Sequence, residues 1–121
     1  MHEKILIVED DKHISKLVNY NLEKAGYECF VVSDGEEGLK ILEKQPIDLI
    51  ILDIMLPKMD GYKVCRLLKF DEKYKHIPII LFTARVQESD KKTGEEVGAE
   101  AYIIKPFEPK ALLDKIAELL K

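Results

Sequence analysis

Two apolar segments that end in acid decide the fold of this chain: ILIV at residues 5–8 runs into EDD at 9–11, and LIIL at 49–52 runs into Asp53. Short continuous apolar runs of this kind are typical of strands buried on both faces of a parallel sheet. Because the carboxyl ends of parallel strands open onto one crevice, we expect the acidic groups to converge on a single pocket. Clustered carboxylates raise one another's pKa, so the pocket is predicted to bind a cation.

Length and composition limit the classes of protein to consider. The chain has 121 residues, 46% of them hydrophobic, which suits one buried core, and we expect a single domain over residues 1–121. A net charge of -4 argues against direct binding of nucleic acid. No apolar run approaches the roughly 20 residues that span a bilayer, and no signal peptide precedes the first strand. We therefore expect a cytoplasmic protein that does not bind membranes, with Cys29 and Cys65 as core thiols.

Short β-rich segments alternate with helical patterns along the whole chain. The predicted strands are Lys4–Val8, Glu28–Val32, Leu49–Leu52, Ile79–Phe82 and Ala101–Ile104. This alternation predicts a doubly wound α/β fold, with five helices covering a five-stranded parallel sheet in the flavodoxin-like order 2-1-3-4-5. The first and third strands, which carry the acids, are neighbours in that order.

Turn residues mark the ends of the predicted helices. The apolar stripe of the first helix, formed by Ile14, Leu17, Val18 and Leu22, stops at Gly26, which suits a left-handed cap. The second helix ends before Pro46. Val64, Leu67 and Leu68 mark a third helix, and the last one follows Pro109. A further helix predicted at residues 86–97 has almost no apolar stripe. We expect it to be poorly anchored and to be a candidate moving part.

Glu9, Asp10 and Asp53 are the candidate metal ligands. Carboxylate oxygens supplemented by water suit octahedral Mg²⁺, and one of the acids can then act as a nucleophile. An aspartate at the end of a strand can instead cap a helix, and Asp11 is interpreted as such a cap.

Two later strands end in groups that suit the same pocket. Thr83-Ala84 places a hydroxyl and a small residue after the fourth strand, and Lys105-Pro106 places an ammonium after the fifth. We expect Lys105 to pair with the acids. The Lys105–Pro106 bond could be trans at the start of a helix, or cis, which turns the chain sharply.

The chain resembles the CheY-like response regulator receiver domain of two-component signal transduction. The resemblance lies in four motifs that occur in this order at the ends of strands: Glu9-Asp10, Asp53, Thr83-Ala84 and Lys105-Pro106. The resemblance covers the whole chain. It implies a phosphoprotein in which Asp53 accepts a phosphoryl group from a phosphohistidine of a sensor histidine kinase or histidine phosphotransfer domain, with Mg²⁺ as cofactor. It further implies no enzymatic turnover beyond self-phosphorylation and slow autodephosphorylation.

The resemblance also implies a role for each residue of the site. Asp10, Asp53 and the backbone carbonyl of Met55 would coordinate Mg²⁺, with Glu9 acting through water. Thr83, the Ala84 amide and Lys105 would bind the phosphoryl oxygens.

A switch and an output surface are implied as well. Thr83 would move toward the phosphate and Tyr102 would turn inward. The signal would pass through the face formed by the predicted helix at residues 86–97, the fifth strand and the last helix to an unknown downstream protein or output domain. The chain is then either a stand-alone receiver or an excised one. In receivers of winged-helix transcription factors this face usually dimerises through charged pairs, but Ala101, Ala111 and Ala117 stand where charged partners would be expected. This argues against that symmetric dimer and leaves apolar dimerisation open.

Three other classes compete with this interpretation. A magnesium-dependent phosphatase with an aspartyl nucleophile would carry a second acid two residues after Asp53, where this chain has Met55. A flavodoxin-like carrier would need a phosphate-binding loop after the first strand, and the acids at residues 9–11 would repel that phosphate. A pure binding scaffold would not account for the complete set of acceptor-site residues.

Overall fold

The computed structural model describes residues 2–83 and 98–121, and this part of the chain forms five strands and four helices. The strands are β1 (Lys4–Val8), β2 (Glu28–Val32), β3 (Leu49–Asp53), β4 (Ile79–Thr83) and β5 (Ala101–Ile104). The helices are α1 (Lys12–Lys24), α2 (Gly35–Lys44), α3 (Gly61–Lys69) and α4 (Pro109–Leu119). The helix predicted at residues 86–97 lies outside the described residues.

All five strands are parallel, and their order in the sheet is β2-β1-β3-β4-β5. The predicted doubly wound fold and strand order are therefore confirmed. Strands β3 and β4 each run one residue further than predicted, because Asp53 pairs with Phe82 and Thr83 pairs with Ile104. Two of the candidate site residues thus belong to the sheet itself, which gives them well-defined backbone positions.

The core consists of two layers, one on each face of the sheet. Alternate side chains of a strand point to opposite faces. Ile5 and Ile7 accordingly pack in the cluster that includes residues of α1 and α4, whereas Leu6 and Val8 pack in the cluster with residues of α2 and α3. Helices on both faces explain why the central strands are apolar throughout rather than alternating.

Aspartate side chains cap the first three helices, and a glycine follows the end of α1. Asp11, Asp34 and Asp60 each accept backbone N–H groups of the first helical turn. Gly26 has a φ of 99°, so the left-handed cap predicted there is confirmed.

Leu17 and Leu67 are exceptions to the predicted apolar helix positions. They are 50% and 49% exposed, because each lies next to a buried residue in the helix and successive helical side chains point in different directions. None of the helices within residues 2–83 and 98–121 is long and apolar enough to cross a membrane.

Candidate functional site

Three acidic side chains meet at the carboxyl ends of β1 and β3. Glu9 directly follows β1, and Asp53 is the last residue of the neighbouring β3. One carboxylate oxygen from each of Glu9, Asp10 and Asp53 lies within 4.8 Å of the others. Glu9 and Asp53 are buried, whereas Asp10 is exposed. The sheet therefore brings together the three acids that the sequence places at strand ends.

Lys105 extends its ammonium group between the two buried acids. Its Nζ lies 2.6 Å from Glu9 Oε1 and 3.4 Å from Asp53 Oδ1, so the expected pairing with the acids is confirmed. The same Nζ lies 5.2 Å from the centre of the Phe82 ring, close enough for a cation–π contact. The Lys105–Pro106 peptide bond is cis, which is one of the two alternatives that the sequence left open.

The site carries more negative charge than Lys105 can neutralise. Among the residues that the structure describes, three carboxylates and one ammonium leave an excess of two negative charges when all are ionised. Burial raises the pKa of Glu9 from its usual 4.5 to about 7; the neighbouring Asp53 adds to this rise, and the Lys105 ammonium opposes it. A cluster of carboxylate oxygens with this excess charge fits a hard divalent cation such as Mg²⁺.

The raised pKa of Glu9 makes the stability of the metal-free protein depend on pH. The unfolded chain releases the Glu9 proton near pH 4.5 and the folded chain only near pH 7. Between these values the unfolded state holds fewer protons, so the free energy of unfolding falls as the pH rises. At about 1.4 kcal/mol for each pH unit, the loss over this range is on the order of 3 kcal/mol.

A Glu9→Gln variant is expected to lack this pH dependence because its amide does not titrate. The check is urea denaturation of both proteins in EDTA at about pH 5 and about pH 8. Relative to the variant, the wild type should be less stable at the higher pH. If the free energies of unfolding of the two proteins differ by the same amount at both pH values, the prediction is contradicted.

The backbone next to the acids holds them in place. The Asp11 N–H donates to Glu9 Oε2 at 3.1 Å, and the Met55 N–H donates to Asp53 Oδ1 at 3.2 Å. Asp11 itself accepts the N–H groups of His13 and Ile14, which confirms its interpretation as the α1 cap. The Met55 side chain is 70% exposed, and the role of its carbonyl as a metal ligand stays a prediction.

The remaining predicted site residues lie on β4 and β5. Thr83 ends β4 and is buried, and its carbonyl accepts the backbone N–H of Lys105. Tyr102 on β5 is half-buried, and its hydroxyl lies 2.8 Å from the hydroxyl of Tyr62. Ala84 lies outside the described residues, so its predicted contact with phosphate stays a prediction.

Gly61 lies against Asp53, and the sequence did not lead us to expect this contact. Gly61 begins α3, and its N–H donates to the Ile54 carbonyl at 2.9 Å. A Cβ atom at Gly61 would collide with the backbone carbonyl of Asp53. The only sequence signal at this position was the Asp60-Gly61 pair typical of a helix start, which says nothing about the approach to β3.

The family model of the response regulator receiver domain matches residues 5–117. The chain belongs to this family. It is 44% identical over 121 residues to the alkaline phosphatase synthesis transcriptional regulatory protein PhoP of Bacillus subtilis (strain 168). That match covers 100% of this chain and 50% of PhoP, so the chain spans about half the length of this curated relative.

Solved structures of similar chains have the same fold. The chemotaxis response regulator CheY4 of Vibrio cholerae has a TM-score of 0.92 and 33% identity, with 99% of this chain and 100% of CheY4 covered. The receiver domain of the sensor histidine kinase PA1611 from Pseudomonas aeruginosa PAO1 has a TM-score of 0.90 and 29% identity, with 99% and 98% covered. The PA1611 structure has a magnesium ion coordinated in its active site cleft.

Proposed function

We propose that this chain accepts a phosphoryl group on Asp53, in the presence of Mg²⁺, from a phosphohistidine of a sensor histidine kinase or histidine phosphotransfer protein. The observation that carries the proposal is the position of Asp53, which shares a cluster of carboxylates with Glu9 and Asp10 and lies 3.4 Å from the Lys105 ammonium. A carboxylate with neighbouring cationic groups suits phosphoryl transfer, which depends mainly on alignment and charge neutralisation.

Each residue of the site has a proposed role in the phosphoryl transfer. An Asp53 carboxylate oxygen attacks phosphorus, and the bond from phosphorus to the histidine nitrogen breaks with the electron pair left on nitrogen. Lys105 would pair with a phosphoryl oxygen, and Thr83 and the Ala84 amide would donate hydrogen bonds to the others. Mg²⁺ held by Asp10, Asp53 and the Met55 carbonyl, with Glu9 acting through water, would neutralise the charge on the phosphoryl group.

The phosphorylated chain would act as a signal and not as an enzyme with turnover. Phosphorylation adds charge and three strong acceptors at the end of β3, which gives Thr83 and Lys105 new partners. The proposed output is the face that the helix predicted at residues 86–97 would form with β5 and α4, and this face would relay the signal to a downstream protein or output domain. In this proposal the chain itself contacts neither nucleic acid nor membrane directly.

The test is a phosphorylation reaction with acetyl phosphate as donor, followed by intact mass spectrometry. The protein should gain one phosphoryl group in Mg²⁺ and none in EDTA. Reduction of the acyl phosphate with borohydride should then yield homoserine at position 53 in the peptide map. A phosphate on another residue, or equal labelling with and without Mg²⁺, would refute the proposal.

An apolar cavity beside Lys105 is the proposed docking point for the phosphodonor protein. Its volume is about 390 Å³, and it is lined by Ile14, Leu17, Lys105, Pro106 and Phe107. These residues come from α1 and from the segment between β5 and α4, and Lys105 in that segment lies beside Asp53. A kinase or phosphotransfer protein that presents a helical bundle could cover this apolar surface while its phosphohistidine reaches Asp53.

Leu17→Asp and Phe107→Asp are expected to slow phosphotransfer from the protein donor at least about tenfold, because a charge in an apolar interface must be desolvated. Both variants should still react with acetyl phosphate at the wild-type rate. Leu67→Asp is the matched control, since Leu67 on α3 is 49% exposed and Leu17 is 50% exposed. An equal loss with both donors would refute the docking role.

A further inference from the structure

A hydrogen bond between two tyrosine hydroxyls joins α3 to β5. The hydroxyl oxygens of Tyr62 and Tyr102 are 2.8 Å apart, and the bond is partly buried. Tyr62 is the second residue of α3 and Tyr102 is the second residue of β5. Both rings pack against the core cluster that contains Leu6 and Val8. The bond therefore links two elements that are far apart in the sequence, at the edge of a packed core.

This hydrogen bond closes a ring of contacts that begins and ends at Asp53. Gly61, the residue before Tyr62, lies against the backbone carbonyl of Asp53. On the other side, Tyr102 lies on β5, the strand that leads to Lys105, and the Lys105 Nζ lies 3.4 Å from Asp53 Oδ1. The two tyrosines therefore lie on segments that both lead to Asp53, one through Gly61 and the other through Lys105.

We propose that the Tyr62 hydroxyl is a positioning group that holds the Tyr102 ring in the arrangement favoured by a phosphoryl group on Asp53. This inference rests on the proposed function, because it assigns a regulatory role at the same site. The packing of the Tyr102 ring against the core and its bond to α3 both stabilise this arrangement. A ligand at Asp53 that favours the arrangement must bind more weakly when the Tyr62 hydroxyl is removed, because the two equilibria are linked.

The first test measures the affinity for beryllofluoride, a mimic of the phosphoryl group, in the presence of Mg²⁺. Tyr62→Phe is expected to weaken binding roughly 2- to 10-fold, the range that one net hydrogen bond supplies. Tyr20→Phe, which removes an exposed hydroxyl from α1, is the matched control and should bind like wild type. In a Tyr102→Phe background, Tyr62→Phe should cause a smaller further loss than in wild type, because the bond between the two hydroxyls is already absent. Unchanged or tighter binding by Tyr62→Phe would overturn the proposal.

The second test does not depend on phosphoryl chemistry. The protein is labelled with 3-fluorotyrosine, and the Tyr102 ¹⁹F resonance is assigned by its loss in Tyr102→Phe. Tyr62→Phe should shift this resonance, whereas Tyr20→Phe should leave it in place. A Tyr102 resonance unmoved by Tyr62→Phe would overturn the proposal. A wild-type protein that binds no beryllofluoride and accepts no phosphate would refute the proposed function, and the resonance would then show only whether the Tyr62 hydroxyl positions the Tyr102 ring.

Discussion

Asp53→Asn is expected to reduce covalent phosphoryl acceptance by more than roughly 100-fold, because the asparagine amide lacks the charge and nucleophilicity of a carboxylate. The substitution leaves the size of the side chain almost unchanged, so the shape of the pocket should persist. The measurement is the phosphorylated fraction in intact mass spectra after reaction with acetyl phosphate and Mg²⁺. Asp114→Asn is the control, since Asp114 on α4 pairs with Lys110 at 2.8 Å and both side chains are exposed.

The same variant allows loss of reactivity to be distinguished from loss of the fold. Asp53→Asn removes one of the three carboxylates that lie around the Lys105 ammonium within the described part of the chain. Burial is the main cause of the raised pKa of Glu9, and the variant removes the part that Asp53 adds, so the metal-free variant should melt at a higher temperature than wild type. Phosphorylation at the wild-type level, or a lower melting temperature in EDTA, would contradict this account of the site.

Gly61→Ala is expected to destabilise the fold by about 3 kcal/mol or more, at the upper end of the usual cost of overpacking. A Cβ at this position would collide with the Asp53 carbonyl and would lie 2.8 Å from the Ile54 Cα. These are backbone atoms of the strand end that carries the acceptor, so they cannot move aside as the end of a side chain can. Urea denaturation should show a lower midpoint, and acetyl phosphate should label the variant poorly because Asp53 is displaced.

Gly35→Ala provides a closely matched comparison. Gly35 and Gly61 are both the first residue of a helix, and each follows an aspartate cap. At Gly35, however, the nearest atom to a new Cβ is the Val64 Cγ2 at 2.6 Å, which belongs to a buried, β-branched side chain and not to the backbone, so relief requires a shift of this side chain rather than of a strand end. Gly35→Ala should therefore lower the free energy of unfolding by less than Gly61→Ala does. Equal losses of stability in the two variants would show that the contact between α3 and β3 is not the cause.

The sheet was predictable because its strands carry their own signal. Fully apolar runs that alternate with helical patterns indicated buried parallel strands, and the strand order followed from the small number of allowed topologies. The predicted ends of β3 and β4 were one residue short, because Asp53 and Thr83 are polar and resemble the start of a loop. Their backbone pairing with neighbouring strands is a tertiary contact, and a local sequence pattern does not reveal such contacts.

The acidic part of the site was predictable for a related reason. Parallel strands align their carboxyl ends, so any acids placed there must approach one another, as Glu9 and Asp53 do. The cation–π contact of Lys105 with Phe82 was not predictable, since Phe82 has the pattern of an ordinary core residue. The approach of Gly61 to the Asp53 carbonyl was missed for the same reason: it depends on how α3 packs.

The sequence by itself determined the order of the strands and the convergence of three carboxylates, because strand periodicity and sheet topology place residues by their position along the chain. The tertiary structure alone decided the distances on which the chemistry depends. It places the Lys105 ammonium 2.6 Å from Glu9 and 3.4 Å from Asp53, and it joins the hydroxyls of Tyr62 and Tyr102. Such contacts arise from the packing of several elements at once, and no local pattern of residues encodes them.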